Sequence, residues 1–385
     1  MKVKVCISSI SPFHAFDLAR QMERLGCLGR LYTGYPSWRV DRLPRAKVGT
    51  FPWLMLPQIA LGRVGAQAAR QRLNSYAIET FDRWVARKLE PCDVFHSLSG
   101  FGLWSHRVAR DHGAMTVCDR GSSHIVFQDQ ILAEEHERWR VPYRPIDRRT
   151  VERELAEYKE CDLVFVPSTF AWRSFVEQGV PERKLRLNPY GVDLNLFKPV
   201  PKQDDIFRVI YVGALSLQKG LPYLLEAIAP LDLPGFEVLL IGAPSPEIRP
   251  FLSKYEGRYR YLGAIPRAEL YKYYSQGSVL VMPSVQDGFG LVMAQAMACG
   301  LPVISTTNTG AADLFTDGVE GFIVPIRSAE AIRERIVHLY QHPELREQMA
   351  CAALRRAASI RGWGYIRRAS RGFLRRGAGR RNQPR

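Results

Sequence analysis

No run in this 385-residue sequence comes near the roughly eighteen consecutive apolar residues that a membrane-spanning helix needs, which argues against such a helix. The first ten residues, Met-Lys-Val-Lys-Val-Cys-Ile-Ser-Ser-Ile, hold too short an apolar core for a signal peptide and read as an opening strand. Cysteine is sparse and unpatterned: the seven (6, 27, 92, 118, 161, 299 and 351) are odd in number and never fall as Cys-x-x-Cys. That argues against a disulfide scaffold or a zinc site and fits a reduced, cytoplasmic protein. Acidic side chains are missing from one end altogether. Residues 355–385 carry eleven arginines and no Asp or Glu, so of a net charge of +16 only +5 belongs to the other 354 residues. The positive excess is therefore a tail property. It suits peripheral contact with an anionic membrane, for a cytoplasmic protein at the inner face, with a solvated, disordered end as the alternative. No nucleic-acid motif accompanies it, so nucleic acid is not an expected partner.

What is present fills cores. Hydrophobic residues make up 46% of the chain, and the length allows two ordinary domains. Strand and helix patterns alternate from end to end, which predicts an α/β protein with parallel sheets covered on both faces. The first half reads as a strand at 2–10, a helix at 15–25, a helix at 80–89, strands at 93–97 and 114–118 around a helix at 103–112, a helical pair within 132–159, and a strand at 163–167. Ser168 caps the helix that follows, at 170–179. Residues 35–75 are less regular; within them Phe51-Pro-Trp-Leu-Met-Leu-Pro and arginines 63, 70 and 72 suit a membrane interface or packing against the domain. Glu134, Glu135 and Glu137 read as a solvated face rather than a catalytic pair. The second half reads as strands at 207–212, 238–241, 259–262 and 279–282 with helices between them, then helices at 329–340 and 344–358.

One stretch organises the rest. Val279–Met282 is a buried strand, Pro283 to Gly290 a glycine loop, Leu291–Cys299 an almost wholly apolar helix, and Val303-Ile304 the next strand. The loop offers backbone N–H groups and a positive helix end, which suits an anion. Asp287 sits in the loop, and Gln295 is the one hydrogen-bonding side chain in the helix interior, where a buried amide requires a polar partner.

Gly288-Phe289-Gly290, followed by Ala296-Met-Ala-Cys-Gly-Leu-Pro-Val303, resembles glycosyltransferase family 4, retaining enzymes of the GT-B fold. Leu187-Asn-Pro-Tyr-Gly-Val-Asp193 with Phe197-Lys-Pro199 resembles that family's interdomain hinge, Gly213 with Lys219-Gly220 its diphosphate loop, and Asp317-Gly-Val-Glu-Gly-Phe-Ile-Val-Pro325 a later turn and strand. The resemblance implies two Rossmann-like domains whose parallel sheets face each other across a cleft. It implies an acceptor-side domain at 1–196, a linker at 197–206, a nucleotide-sugar-binding domain at 207–350, a helix at 351–375 containing Trp363 and crossing back to the first domain, and a basic tail at 376–385.

The implied activity is metal-independent, retaining transfer of a sugar from a nucleotide sugar, which is a substrate and not a cofactor, to a glycan or lipid-linked hydroxyl acceptor. The expected setting is polysaccharide or glycolipid assembly. Asp-x-Asp, the metal signature of the other large glycosyltransferase fold, is absent. On this resemblance Asp287 contacts the transferred sugar and Gln295 the ribose, while Gly213, Lys219, Gly288, Phe289, Gly290 and Leu291 hold the donor. Across the cleft, His14 and Arg120 face the reaction, and His124 is a candidate substrate contact. Arg120 and His124 follow the strand ending at Cys118, where open α/β sheets bind ligands. A helix-start role for His14 and a structural carboxylate partner for Arg120 stay open. The sequence departs from the family at Ser9 and Ile10, where glycines stand, at Ala214, where an arginine stands, and at Asp287 and Gln295, both glutamates in the family. An epimerase or phosphorylase of the same fold, or a non-catalytic protein binding glycan or an anionic surface, are the alternatives.

Overall fold

Short apolar strands separated by helices bury both their faces only in parallel sheets flanked by helices. The computed structural model, which describes residues 3–54 and 67–360, has two such sheets. The first is built from β1 (Val5–Ser9), α1 (Phe13–Arg24), β2 (Leu28–Thr33), β3 (Val48–Thr50), α2 (Gln67–Lys88), β4 (Val94–Leu98), α3 (Leu103–Asp111), β5 (Met115–Asp119), α4 (Ile125–Arg138), α5 (Arg148–Glu160), β6 (Leu163–Val166), α6 (Thr169–Glu177) and β7 (Leu185–Leu187). Its strand order is β3-β2-β1-β4-β5-β6-β7, parallel throughout.

The second follows with β8 (Phe207–Val212), α7 (Leu221–Ile228), β9 (Phe236–Ile241), α8 (Arg249–Lys254), β10 (Arg260–Gly263), α9 (Leu270–Gln276), β11 (Val279–Met282), α10 (Leu291–Ala298), β12 (Val303–Thr306), α11 (Ala311–Leu314), β13 (Gly321–Val324), α12 (Ala329–Gln341) and α13 (Pro343–Ser359). Its order is β10-β9-β8-β11-β12-β13, again parallel. Each sheet reverses its direction of growth once, between β1 and β4 and between β8 and β11. These are the points where a crevice opens beyond the carboxyl ends of the strands. This is the α/β GT-B architecture.

The α10 helix is buried from Met293 to Ala298, as its uniformly apolar sequence demands. Ser168 caps α6, its Oγ accepting the Ala171 N–H at 3.0 Å. β2, β3 and β7 were not anticipated. Two of them are only three residues long, and Gly29 and Arg30 break the apolar run of β2.

One expectation is reversed. Glu135 is not part of a solvated face: it is fully buried, because α4 leaves its own sheet and docks on the second domain. Its carboxylate accepts from Trp139 Nε1 and Tyr223 Oη, both at 2.7 Å, and from Arg327 Nε at 2.7 Å. Ile131 joins the apolar cluster of the second sheet, and Trp139 packs on Tyr223 and Phe251.

Through Ile360 the final helix packs on the second domain: Leu354 lies against Gly300, and the Arg356 guanidinium donates to the Leu314 carbonyl at 2.7 Å. Residues 361–375 with Trp363, the basic tail, and the side chains of 54–75 with Arg63, Arg70 and Arg72 lie outside the described residues. Among the described residues no helix is long and apolar enough to cross a membrane.

Candidate active site

The loops leaving β8 and β11 carry the second domain's polar groups. Gly213 ends β8 with nothing within 4 Å of where a side chain would begin. The loop then runs to Gly220, at φ +67°, where a Cβ would stand 1.8 Å from the Pro283 carbonyl oxygen. The 213–220 loop therefore lies directly on the 283–290 loop. This contact brings Lys219 Nζ to 2.5 Å from Asp287 Oδ2. The other carboxylate oxygen, Oδ1, accepts the N–H groups of Phe289 at 3.1 Å and Gly290 at 3.0 Å. The loop N–H groups expected to be free are thus taken by the loop's own aspartate. Gln295 does find its polar partner, with Tyr274 Oη donating to its Oε1 at 3.1 Å. Phe289 is buried with its ring 5.3 Å from that of Tyr190 in the hinge, and Leu291, half-buried, opens α10.

The first domain answers with a buried acid between two imidazoles. Asp119, the last residue of β5, has His14 Nε2 at 2.8 Å and His96 Nε2 at 2.9 Å on the same carboxylate oxygen. Burial works against its ionisation. The charge and hydrogen bond of His14, with those of His96, outweigh that and hold the carboxyl well below the usual range. His14 starts α1, its ring 4.5 Å from that of Tyr190, and its Nδ1 is buried without a hydrogen-bond partner. Phe13, just before it, is exposed and adopts φ +28°, a conformation non-glycine residues rarely hold.

Two expected site residues are engaged elsewhere. Arg120 turns into its own domain. Its guanidinium bonds Glu154 at 2.8 Å, Gln128 Oε1 at 2.6 Å and the Ser123 carbonyl at 3.1 Å, so its carboxylate partner is structural. Burial disfavours the charge, but Glu154 secures it. His124 is also internal. It caps α4, its Nδ1 accepting the Val126 N–H at 3.3 Å, and its ring packs on Tyr158 and Phe175. Burial, with Arg120 nearby, pushes its pKa down to about 4, so the ring is neutral near neutral pH. Both side chains are held by partners within the first domain.

The two halves touch. A Cβ on Gly288 would lie 2.3 Å from the Gly121 carbonyl oxygen, so only glycine lets the loops approach this closely. Gln286 Nε2 donates to Ser122 Oγ at 2.7 Å and Ser123 Oγ at 2.8 Å, Ser168 Oγ donates to the Gly288 carbonyl at 2.6 Å, and Asp313 accepts from Thr169. Through the ring contacts His14–Tyr190–Phe289, His14 and the Asp287 loop meet at one seam. Tyr190, His96, Asp119 as a histidine partner, and Gln286 were not singled out from sequence. A histidine in the apolar run of β4 and an aromatic inside the hinge motif were the available signals.

The seam between the two sheets thus carries a lysine–aspartate pair on one side and a histidine–aspartate pair on the other, in a fold of the GT-B class. Residues 206–342 match the family described as glycosyl transferases group 1. The chain is 27% identical over 91% of its length to a D-inositol 3-phosphate glycosyltransferase of Kribbella flavida, covering 86% of that protein. It is 33% identical over 37% of its length to the capsular polysaccharide biosynthesis glycosyltransferase CapM of Staphylococcus aureus, covering 39% of that protein. Other curated relatives, such as the putative colanic acid biosynthesis glycosyltransferase WcaL of Escherichia coli, are matched over about half their length (49%). In fold it is similar to sucrose-phosphate synthase of Thermosynechococcus elongatus (TM-score 0.76, 22% identity, 97% of this chain and 99% of that one). It is also similar to Anabaena HepE solved with UDP-glucose (TM-score 0.70, 17% identity, 97% and 99%).

Proposed function

We propose that this glycosyltransferase takes its sugar from a nucleotide-sugar donor held by the second domain and transfers it, with retention, to a hydroxyl of a glycan or lipid-linked acceptor on the first. The observation that carries this is the Lys219–Asp287 pair beside Gly213 and Gly220, facing His14 across the seam. In the reaction the bond from the anomeric carbon to the diphosphate breaks and a bond to the acceptor oxygen forms. The leaving diphosphate gains negative charge, and in this reading the Lys219 ammonium stabilises it. Asp287 accepts a hydroxyl of the transferred sugar, and Gln295, which can donate and accept, takes the ribose. His14 is held in orientation by Asp119 and offers Nδ1 to a substrate hydroxyl at the seam. Its role is positioning; the acceptor proton leaves on the diphosphate oxygen and no protein nucleophile is invoked.

This scheme uses no metal and no cofactor. The similarities to capsule and colanic acid glycosyltransferases support polysaccharide or glycolipid assembly as the setting. A peripheral position at the cytoplasmic membrane face, through the arginine-rich C-terminus, belongs to the same proposal. A thermal-shift panel of UDP-, GDP- and ADP-sugars, followed by nucleotide release with and without acceptor, tests the reading. One base class stabilises the protein and release requires acceptor; no shift with any donor and no release would sink it. The anomeric configuration of the product, read by NMR, tests retention separately.

A further inference from the structure

Asp287 already occupies the donors that a phosphate oxygen would use. One carboxylate oxygen takes the Lys219 ammonium and the other takes the Phe289 and Gly290 N–H groups, at 2.5, 3.1 and 3.0 Å. Lys219 carries three N–H donors, so a diphosphate can reach it while Asp287 keeps its contact, but two anions then share one cation at close range, an unfavourable state unless new donors arrive. The hydroxyls of a sugar attached to the diphosphate are such donors. A bare nucleoside diphosphate has none at that end.

Resting on the nucleotide-sugar reading above, we propose that Asp287 sets the specificity of the site for intact donor over nucleoside diphosphate, by competing with the diphosphate for Lys219. Before transfer the sugar hydroxyls compensate the Asp287 carboxylate. After transfer the sugar has left with the acceptor, carboxylate and diphosphate compete for one cation, and the hold on the product weakens. Product release is thereby coupled to loss of the sugar. A purely local role for Asp287, holding the loop through Oδ1, would give no such discrimination.

Calorimetry on the full chain separates these roles, with UDP, GDP and ADP as probes and then the matching nucleotide sugars, for the natural protein and Asp287→Asn. Asparagine keeps an acceptor oxygen for the two loop N–H groups and removes the charge; Asp287→Ser serves if that variant fails to fold. The diphosphate should bind the variant about tenfold more tightly, the nucleotide sugar no more tightly than before, so that the preference for donor over product collapses. Unchanged or weaker diphosphate binding by the variant overturns the inference and leaves the nucleotide-sugar reading standing. If the natural protein binds none of the nucleotide sugars, that reading falls, and the inference with it.

Discussion

The two walls of the seam are built on opposite principles. On the second domain, Lys219 and Asp287 remain 25% and 20% exposed and are each other's ionic partners. On the first, the side chains of His14 and Asp119 are each 2% exposed, and Arg120 is tied to Glu154 in the interior. A half-exposed pair exchanges partners cheaply, because water covers part of the cost of separation. A buried pair does not, because removing one member strands the other in a medium that cannot solvate it. The second domain can therefore trade its charges to a ligand, while the first holds its shape with them.

That contrast can be broken by experiment. Asp119→Ala leaves two buried imidazoles without their acceptor and should cost about 3–5 kcal/mol of stability in urea unfolding. Lys219→Ala should cost at most about 1 kcal/mol of stability. It should weaken diphosphate binding by roughly ten- to a hundredfold, since the lost contact is charge-assisted and worth about 1.5–3 kcal/mol. If Lys219→Ala proves as destabilising as Asp119→Ala, the distinction between the walls is wrong.

The smallest effect is on pH dependence. Glu157, buried and bonded to the Gly100 and Gly102 N–H groups, has its carboxyl pushed up by burial to about 8 from 4.5. A raised folded-state pKa means the folded protein binds the proton more tightly than the unfolded chain. Stability from this group is full below about 4.5 and lost as pH rises through about 8. Unfolding free energies measured from pH 5 to 9 should fall less steeply in Glu157→Gln. An unchanged slope would show that the Glu157 carboxyl is not raised above the ordinary range. Asp119 runs the other way: its depressed carboxyl contributes stability above the ordinary carboxylate range that is lost as pH falls.

The same contrast governs how much could be read from the sequence. The second-domain wall lies in two continuous stretches, 213–220 and 283–303, and there strand, loop, helix and the need of Gln295 for a polar partner were all legible, though not that the partner is Tyr274. The first-domain wall is assembled from residues 14, 96, 119 and 190, which lie on four separate segments. No local pattern states that His96 and His14 share one carboxylate oxygen. Arg120 and His124 were drawn into the site because they follow a strand end. Which way such a side chain turns depends on partners such as Glu154 and Phe175, encoded far away. Glu135 looked solvated beside Glu134 and Glu137, since only the docking of α4 on the other domain buries it. Lys219 and Asp287 were each identified, but their pairing with one another was not, because it depends on how closely Gly220 lies against Pro283.

The buried Glu135 has a mechanical consequence. The domains are joined covalently through the segment around Tyr190–Phe197, along the seam by Gln286, Ser168 and Asp313, and once more through the carboxylate that grips Tyr223 and Arg327. Sliding or twisting one domain on the other would pull that buried carboxylate from these two donors. Helix α4 therefore acts as a tie rod, keeping the two walls of the seam in register.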